Sequence, residues 1–424
     1  MMKVFSKGLL MQRFLSDCFI KRNLATTHDS LHSERALINN TYLVKSSVCL
    51  RITLSFLCTF FLFCFISEAA KPQKQLKKSP TLVLESANSN ENSYENDEFI
   101  SILRGNVIFT YDDIKIRSDE ATWWRNQGKV IFQKNVRVFR GAQTVTCDKM
   151  HFSKDNNILN ANGNFNFTDT LEKTKITGKD AEYHIESKYF QLTGKPKMVR
   201  FDTATAETLF ISSEKMWYID SLKCATVTDS VKIIKGNLLS KCQNANYFTK
   251  TSFAQLRTNP DVTYGINHVK GDSIDLQFGK NSLRSAVVMG NTYSIYIDTS
   301  AKSKDTAFTH VWGDSLVMAV SDSGKLDSLW VFGKAKSKYY VSNEPENVNE
   351  ASGKRMLMAF KNDNNADVVK IWGNAKSRYY VTEQKSKGIN ESSGDSITVV
   401  FSKGKASRLT LAGSARGVYF PRDL

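Results

Sequence analysis

The segment 271–278, GDSIDLQF, starts a pattern that recurs at 313–320 (GDSLVMAV), 353–360 (GKRMLMAF) and 394–401 (GDSITVVF). The third, fifth and seventh residues after the first Gly are apolar in all four copies. Alternation with a period of two places apolar side chains on one face of an extended strand. The pattern therefore predicts four related β-strands in the C-terminal part of the chain.

A second strand follows each of these strands. It ends in a segment that begins at Gly290, Gly333, Gly373 or Gly413. The unit is strand, polar turn, strand, and successive units begin 42, 40 and 41 residues apart. Turn residues that tolerate positive φ, such as the DSG at 322–324, lie between the strands.

A weaker form of the unit runs through the first half of the chain. Its apolar pairs have the same offsets, and the Gly position is taken by Ser118, Cys147, Gly178, Ser213 and Cys242. Each unit buries only one strand face and must stack on its neighbours to gain a core. The sequence therefore predicts one elongated all-β array, whose end strands are templates for further strand addition.

Residues 105–167 carry a recognisable form of this unit. It consists of Gly105-Asn106-Val107, an alternating strand, the segment 119–123 (DEATW), an Asn-containing turn, and a second Gly-Asn at 163–164. This arrangement resembles the OstA/LptA repeat, and the repeats from Gly271 onward resemble the same unit with longer turns. The resemblance implies a V-shaped β-jellyroll of two facing antiparallel sheets, open along one side, with an apolar groove that shields lipid A acyl chains.

The N-terminal region has the layout of a signal peptide. An apolar run of 15 residues, 52–66, follows Arg51 and precedes the small residues of SEAA at 67–70. A membrane-spanning helix needs about 20 apolar residues, so the run predicts cleavage after Ala69, with an uncleaved signal anchor as the alternative. Both interpretations export the rest of the chain. The predicted organisation is a leader at 1–70, a flexible tether at 71–98, OstA/LptA-like repeats at 99–270, and a continuation of the array at 271–424.

Charge and cysteine content limit the partners and the chemistry. After the 8 basic and 4 acidic residues of 1–70 are removed, 50 basic and 38 acidic residues remain, a net charge of +12. Such an excess predicts anionic partners, and export favours phosphorylated lipid or a membrane surface over nucleic acid. No Cys/His spacing typical of a metal site is present, so no metal or cofactor is expected. A disulfide between Cys224 and Cys242 across a hairpin is left open.

The apolar stripe of the repeats is the candidate lipid groove. An ordinary packed sandwich core would show the same alternation, whereas the resemblance favours a groove, and the two can share one stripe. The predicted groove residues are Trp123, Met150, Phe152, Tyr183, Met216, Tyr218, Tyr247, Leu276, Leu316, Met318, Met358 and Val399.

The opposite strand face carries a group of basic residues: Lys334, Lys336, Lys338, Lys376 and Arg378. They either meet lipid phosphates or anionic sugars, or form a solvated outer face that prevents edge aggregation. Trp330 and Trp372 have the same parity, which predicts either exposed partner contacts or a bulge that shifts the register.

The function implied by the resemblance is not enzymatic. The chain would carry lipopolysaccharide or a related glycolipid across the periplasm to the outer membrane, and would join other β-jellyroll transport proteins, or copies of itself in a filament, by end-to-end strand addition. One alternative is an exported scaffold or adhesive protein without lipid cargo. A second is a parallel β-helix enzyme acting on polysaccharide, for which Asp272, Asp314 and Asp395 come nearest to a catalytic row, although a turn role also explains them.

Overall fold

The computed structural model describes residues 81–203, 206–279, 283–298, 306–361, 366–383, 386–402 and 405–421. They form one 26-stranded sheet in which every strand pairing of the described residues is antiparallel. The predicted all-β fold is confirmed, whereas the parallel β-helix alternative is wrong. The strands are β1 Val83–Ser86, β2 Ser89–Glu95, β3 Glu98–Tyr111, β4 Ile114–Trp124, β5 Lys129–Arg140, β6 Gln143–Ser153, β7 Ile158–Asp169, β8 Thr174–His184, β9 Tyr189–Thr193, β10 Lys197–Asp202, β11 Glu207–Ser212, β12 Lys215–Ile219, β13 Cys224–Lys235, β14 Leu238–Phe248, β15 Phe253–Arg257, β16 Asp261–Tyr264, β17 Asn267–Lys270, β18 Ser273–Phe278, β19 Leu283–Asp298, β20 Ala307–Val320, β21 Leu326–Val341, β22 Glu344–Phe360, β23 Ala366–Glu383, β24 Ser386–Ser402, β25 Lys405–Ala412 and β26 Arg416–Pro421.

A bulge near the middle of each long strand divides the sheet into two limbs. In β3 the register shifts between Arg104 and Val107, and in β4 it shifts between Arg117 and Glu120. We name the half that contains residues 98–104 and 120–124 limb 1. The half that contains residues 107–111 and 114–118 is limb 2. The same division follows in the later strands, so the chain passes back and forth from the tip of one limb to the tip of the other.

The Gly-Asn pairs noted in the sequence form these bulges. Gly105 has φ +74° and Asn106 has φ +47°, and the pair Gly290 and Asn291 repeats these values at +74° and +45°. Gly adopts this left-handed conformation without a steric penalty, and Asn tolerates it better than most residues. The Gly-Asn signature therefore marks the position where a strand bends, rather than the start of a strand.

Some passes between the tips are divided into two short strands. β9 pairs with β8 in limb 1, and β10 pairs with the other end of β8 in limb 2. The pairs β1/β2, β11/β12, β15/β16, β17/β18 and β25/β26 are divided in the same way. The antiparallel order of the repeats is preserved throughout, which explains why repeats with different strand lengths share one sequence pattern.

The inner faces of the two limbs pack against each other and form the core. Phe109 of limb 2 meets Trp123 and Phe132 of limb 1 at ring centroid distances of 5.3 and 5.4 Å. Tyr111 of limb 2 likewise meets Phe152 of limb 1 at 4.9 Å. Burying one such ring contributes about 1.5–3 kcal/mol, so interlimb packing is a major source of stability. The predicted facing antiparallel layers are therefore the two limbs of one bent sheet.

Two of the predicted boundaries can be compared with the strands. Residues 83–86 and 89–95 lie within the predicted flexible tether, yet they pair with β3 as β1 and β2. That part of the tether prediction is wrong, because backbone pairing with β3 holds these polar residues in the sheet without an apolar stripe. Pairing also continues across position 270, since β17 and β18 both pair with β19. The predicted leader at 1–70 and the first part of the tether lie outside the described residues.

Candidate groove between the two limbs

The twelve predicted groove residues lie on the inner face of limb 1. Met216, Tyr218, Leu276 and Leu316 have no measurable exposure, and Phe152 is 1 % exposed. Trp123, Tyr183, Met318 and Val399 are partly buried and pack against the same core. The twelve residues form one continuous interior surface, as expected if a groove and a core share the same stripe.

Limb 2 supplies the opposite wall, which the sequence interpretation missed. Phe109, Tyr111 and Ile176 are at most 3 % exposed, and Phe167 meets Phe190 of limb 1 at 5.0 Å. Apolar alternation does continue N-terminal to the repeat's Gly position, as in Ile114 and Ile116 before Ser118. At the bulge of β4, the inward-facing positions change from even-numbered to odd-numbered residues. The alternation on one side of the bulge therefore does not predict the inward residues on the other side.

The interior between the limb 1 strands up to β12 and the limb 2 strands up to β10 is filled, and we name it the filled section. Large rings occupy it, and a cavity within it, lined in part by Met150 and Tyr183, measures only about 50 Å³. Polar bridges also join the limb tips. Tyr111 donates to the Asn157 Oδ1 at 2.6 Å, and Arg140 donates to the Tyr183 hydroxyl at 2.5 Å.

A second bridge closes the same edge of the filled section. Gln143 Nε2 of limb 2 donates to Asp169 at 3.0 Å and to Asp220 of limb 1 at 3.1 Å. Lys223 lies 2.7 Å from Asp220 and 3.8 Å from Asp169. These carboxylates raise the pKa of Lys223, and its burial partly opposes that rise. These polar contacts close this edge of the filled section.

A larger pocket of about 560 Å³ lies between the limbs further along the array. Limb 1 contributes Leu276, Met318 and Met358, all three of which belong to the predicted groove, and limb 2 contributes Val262 and Val311. The wall is apolar in its depth because both inner faces contribute aliphatic side chains. We name this region the pocket section.

The rim of the pocket is polar and lies near the limb tips. Lys235 has its Nζ 3.3 Å from Asp202 and 5.0 Å from the Phe278 ring centre. Lys325, Asn237 and His268 also line the opening. An apolar interior with a charged rim suits a ligand with an apolar body and a polar head.

The basic residues predicted on the opposite face point outward. Lys334, Lys336 and Lys376 are exposed. Lys338 lies 2.9 Å from Glu350, and the nearby cations hold the pKa of that carboxyl below its ordinary value. These residues therefore lie on the solvated outer face, a placement that both interpretations require.

The two tryptophans that shared this parity also lie on the outer face. Trp330 stacks on Trp372 at a centroid distance of 5.9 Å, and the Arg355 guanidinium lies 5.1 Å from the Trp372 ring centre. The sequence left open whether these rings are exposed or are turned inward by a bulge, and the structure places them on the outer face. No inward shift of the register is needed.

The three cysteines of the described residues are free and buried. Cys224 pairs with Phe248, whereas Cys242 pairs with Val231 further along the same hairpin, so a disulfide between them is excluded in this structure. Burial raises the pKa of the Cys147 thiol to about 12. These thiols are packing residues at the pH of the cell.

The described residues contain neither a cluster suited to a metal ion nor a helix suited to crossing a membrane. No group of three or more His, Cys, Asp or Glu side chains in them could hold a metal ion. In the same part of the chain, no helix is long and apolar enough to cross a membrane.

Comparison with known proteins gives one family match. Residues 115–219 match the family model described as LptA/(LptD N-terminal domain) LPS transport protein. A solved structure similar to this chain is that of LptH, the LptA homologous periplasmic component of the conserved lipopolysaccharide transport device from Pseudomonas aeruginosa. That likeness has 13 % identity and a TM-score of 0.18, and it covers 34 % of this chain and 82 % of that one. Among curated proteins, no sequence match is found.

The matched residues coincide with strands that the sequence resemblance had singled out. They run from β4 to β12 and include the Asp119–Trp123 segment and the Gly163-Asn164 bulge. The family assignment rests on this match, which confirms the resemblance drawn from the residues. Residues 115–219 of this chain are therefore similar to the LptA/LptD N-terminal family of lipopolysaccharide transport proteins, in agreement with the OstA/LptA resemblance.

Proposed function

We propose that this chain binds the lipid A acyl chains of lipopolysaccharide in the pocket section and helps to carry the molecule across the periplasm to the outer membrane. The observation that supports the proposal is the apolar pocket of about 560 Å³ between the limbs. The match of residues 115–219 to a lipopolysaccharide transport family supports the class of cargo.

The chemistry of the pocket suits an acyl chain. Burying one methylene contributes about 0.8 kcal/mol, so a short acyl segment is held without covalent chemistry. Met318 and Met358 have flexible, polarisable side chains that adapt to irregular apolar ligands. Lys325 is exposed and lines the pocket, where a phosphorylated head group would meet positive charge, whereas Lys235 is buried and paired with Asp202. Transport by such a site needs no catalytic residue.

The end strands support assembly into a chain of subunits. Within the described residues, β1 and β2 pair only with β3, and β25 and β26 pair only with β24. Each terminal pass therefore has one edge of unpaired backbone groups, to which another β-jellyroll transport protein or a second copy could add a strand. The apolar run at 52–66 supports export to the periplasm, either as a released protein or tethered to the inner membrane.

Photocrosslinking in cells tests the proposal. A photoreactive residue is placed at Met318 in the pocket section, at Phe152 in the filled section, or at Lys370 on the outer face of limb 1, and adducts are probed for lipopolysaccharide. We expect adducts at Met318 and none at Lys370. Well-expressed protein with no adduct at Met318 would contradict lipid binding in the pocket and would favour the scaffold alternative. Adducts at Phe152 but not at Met318 would place the cargo in the filled section instead.

A further inference from the structure

The outer face of limb 2 carries a row of cations that crosses the strands. Register pairs place Arg117 opposite Arg137, and Lys232 opposite Lys241. Lys197 continues the same row on β10, two passes before Lys232. All five side chains are exposed. We name this set, and its continuation to Arg416, the basic row.

The row continues across the C-terminal strands. Lys270 pairs with Tyr293, Tyr293 with Trp312, and Trp312 with Lys336. Lys376 and Arg416 follow at the same height. The row therefore contains nine exposed basic residues. The two aromatic rings lie within it, between Lys270 and Lys336.

The remaining members of the row are mostly small polar residues. Six positions between cations are Thr146, Asn166, Thr177, Ser212, Ser352 and Ser393. Their hydroxyl groups can donate to and accept from sugar hydroxyls. Tyr293 and Trp312, whose ring centres are 5.6 Å apart, add apolar ring surface against which a sugar ring can pack.

Most of the positive charge of the basic row is not paired with a carboxylate. Asp261 is the acidic member of the row, and it lies 3.1 Å from Lys270. For the other eight cations, no carboxylate of the described residues lies within ion-pair distance. Asp119 and Asp148, which follow Arg117 and Thr146 of the row by two residues, lie on the bulges and accept hydrogen bonds from asparagine side chains.

The geometry of the basic row favours a flexible polymer over a planar membrane surface as its ligand. Neighbouring strands lie about 4.8 Å apart, so cations recur at a pitch that a polymer with repeated charges can follow. Adjacent strands also rotate by about 20–25°, and over many strands the row must wind around the sheet. A planar membrane surface can meet only part of such a row, whereas a polymer chain can follow it. The envelope location proposed above argues against nucleic acid as that polymer.

We propose that the basic row binds an acidic polysaccharide, that is, a glycan bearing carboxylate or phosphate groups. This ligand lies on the outer face, separate from the acyl chains in the pocket, so either site can exist without the other. Cations supply attraction, and the polar and aromatic side chains between them distinguish a sugar chain from other polyanions.

Binding measurements on the purified chain test this proposal. Oligogalacturonate is the acidic glycan probe, dextran is the neutral glycan, polyglutamate is the polyanion without sugars, and phosphatidylglycerol vesicles are the anionic membrane. We expect oligogalacturonate to bind at physiological salt at least tenfold more tightly than polyglutamate, and dextran not to bind. Affinity should fall as salt is raised, because salt screens the charges.

Two triple variants locate the site. The variant K197Q/K232Q/K241Q removes three adjacent cations of the row, and K129Q/K215Q/K370Q removes three exposed lysines of limb 1 with the same change in net charge. We expect the first to lose at least tenfold in affinity for oligogalacturonate and the second to change less than twofold, with unchanged circular dichroism in both. Equal losses in the two variants, equal binding of polyglutamate, binding to vesicles alone, or no glycan binding would each overturn the proposal. The photocrosslinking at Met318 is unaffected by any of these outcomes.

Discussion

Asp272 lies directly against the Gly290-Asn291 bulge of the neighbouring strand. Both of its carboxylate oxygens are 3.2 Å from the Asn291 side-chain amide, and its backbone N–H donates to the Gly290 carbonyl at 2.9 Å. Asp314 and Asp395 take the same position against Gly333 and Gly413. The repeated aspartates therefore stabilise the bend between the limbs, which gives them a structural role at the bulge.

Replacing Gly290 by Ala should destabilise this bend. A Cβ there would lie 2.1 Å from the Asp272 Oδ2, and the residue has φ +74°. We expect a loss of about 1–3 kcal/mol in the free energy of unfolding, measured by urea denaturation. Gly417→Ala is the matched control, because nothing lies within 4 Å of its added Cβ. Equal effects of the two substitutions would contradict the assigned role of the Asp272 contact.

Truncating a ring in the filled section should cost more than truncating a side chain of the pocket. Phe152 is 1 % exposed and fully packed, so Phe152→Ala should lose about 3–5 kcal/mol. Met318 already borders the open pocket, so Met318→Ala should lose less, about 2 kcal/mol, the lower end of the range for such truncations. Urea midpoints monitored by circular dichroism compare the two variants. A Met318→Ala loss as large as that of Phe152→Ala would indicate that the pocket is closed in solution.

The buried thiols should resist modification in the native protein. Burial raises the pKa of Cys147 to about 12 and that of Cys242 to about 11, so almost no reactive thiolate exists near pH 8. We expect peptide mapping after iodoacetamide treatment to find both unmodified in buffer and fully modified in denaturant. Rapid labelling of Cys147 in the native protein would show that β6 opens locally.

His310 should make stability depend on pH as the pH falls through its ordinary pKa of 6.5 and below. Burial and the nearby Lys338 lower its pKa below the ordinary value of 6.5, so the unfolded chain takes up its proton first as the pH falls. Stability is therefore lost as the pH falls from above 6.5 through the folded pKa. His151 shifts in the same direction, because of burial and the charge of Lys149.

The variant His310→Asn separates this contribution. Its melting temperature should fall less than that of the unchanged protein over the same pH range, and a double variant that also carries His151→Asn should show a still smaller fall. Identical pH slopes in all three proteins would mean that neither imidazole is shielded as the structure indicates.

Much of the fold was predictable because strand alternation is a local property. Gly271 and its counterparts identified the repeats, and Phe152 and Met358 were correctly assigned to an inward face. The same local logic failed at β2, since its residues carry no apolar stripe and are held only by backbone pairing with β3. It also missed the limb 2 wall, because the bulge at Arg117 to Glu120 changes the inward parity.

The sequence by itself determined the all-β repeat, the family resemblance confirmed over residues 115–219, and the residue types of the interior stripe. Only the tertiary structure decided which part of that interior is full and which is open. Whether Met318 borders a pocket or a packed core depends on how far the two limbs approach each other, and that distance is set by side chains far apart in sequence, such as Arg140 and Tyr183 in their interlimb contact. The basic row likewise appears only when cross-strand register places residues from Arg117 to Arg416 side by side.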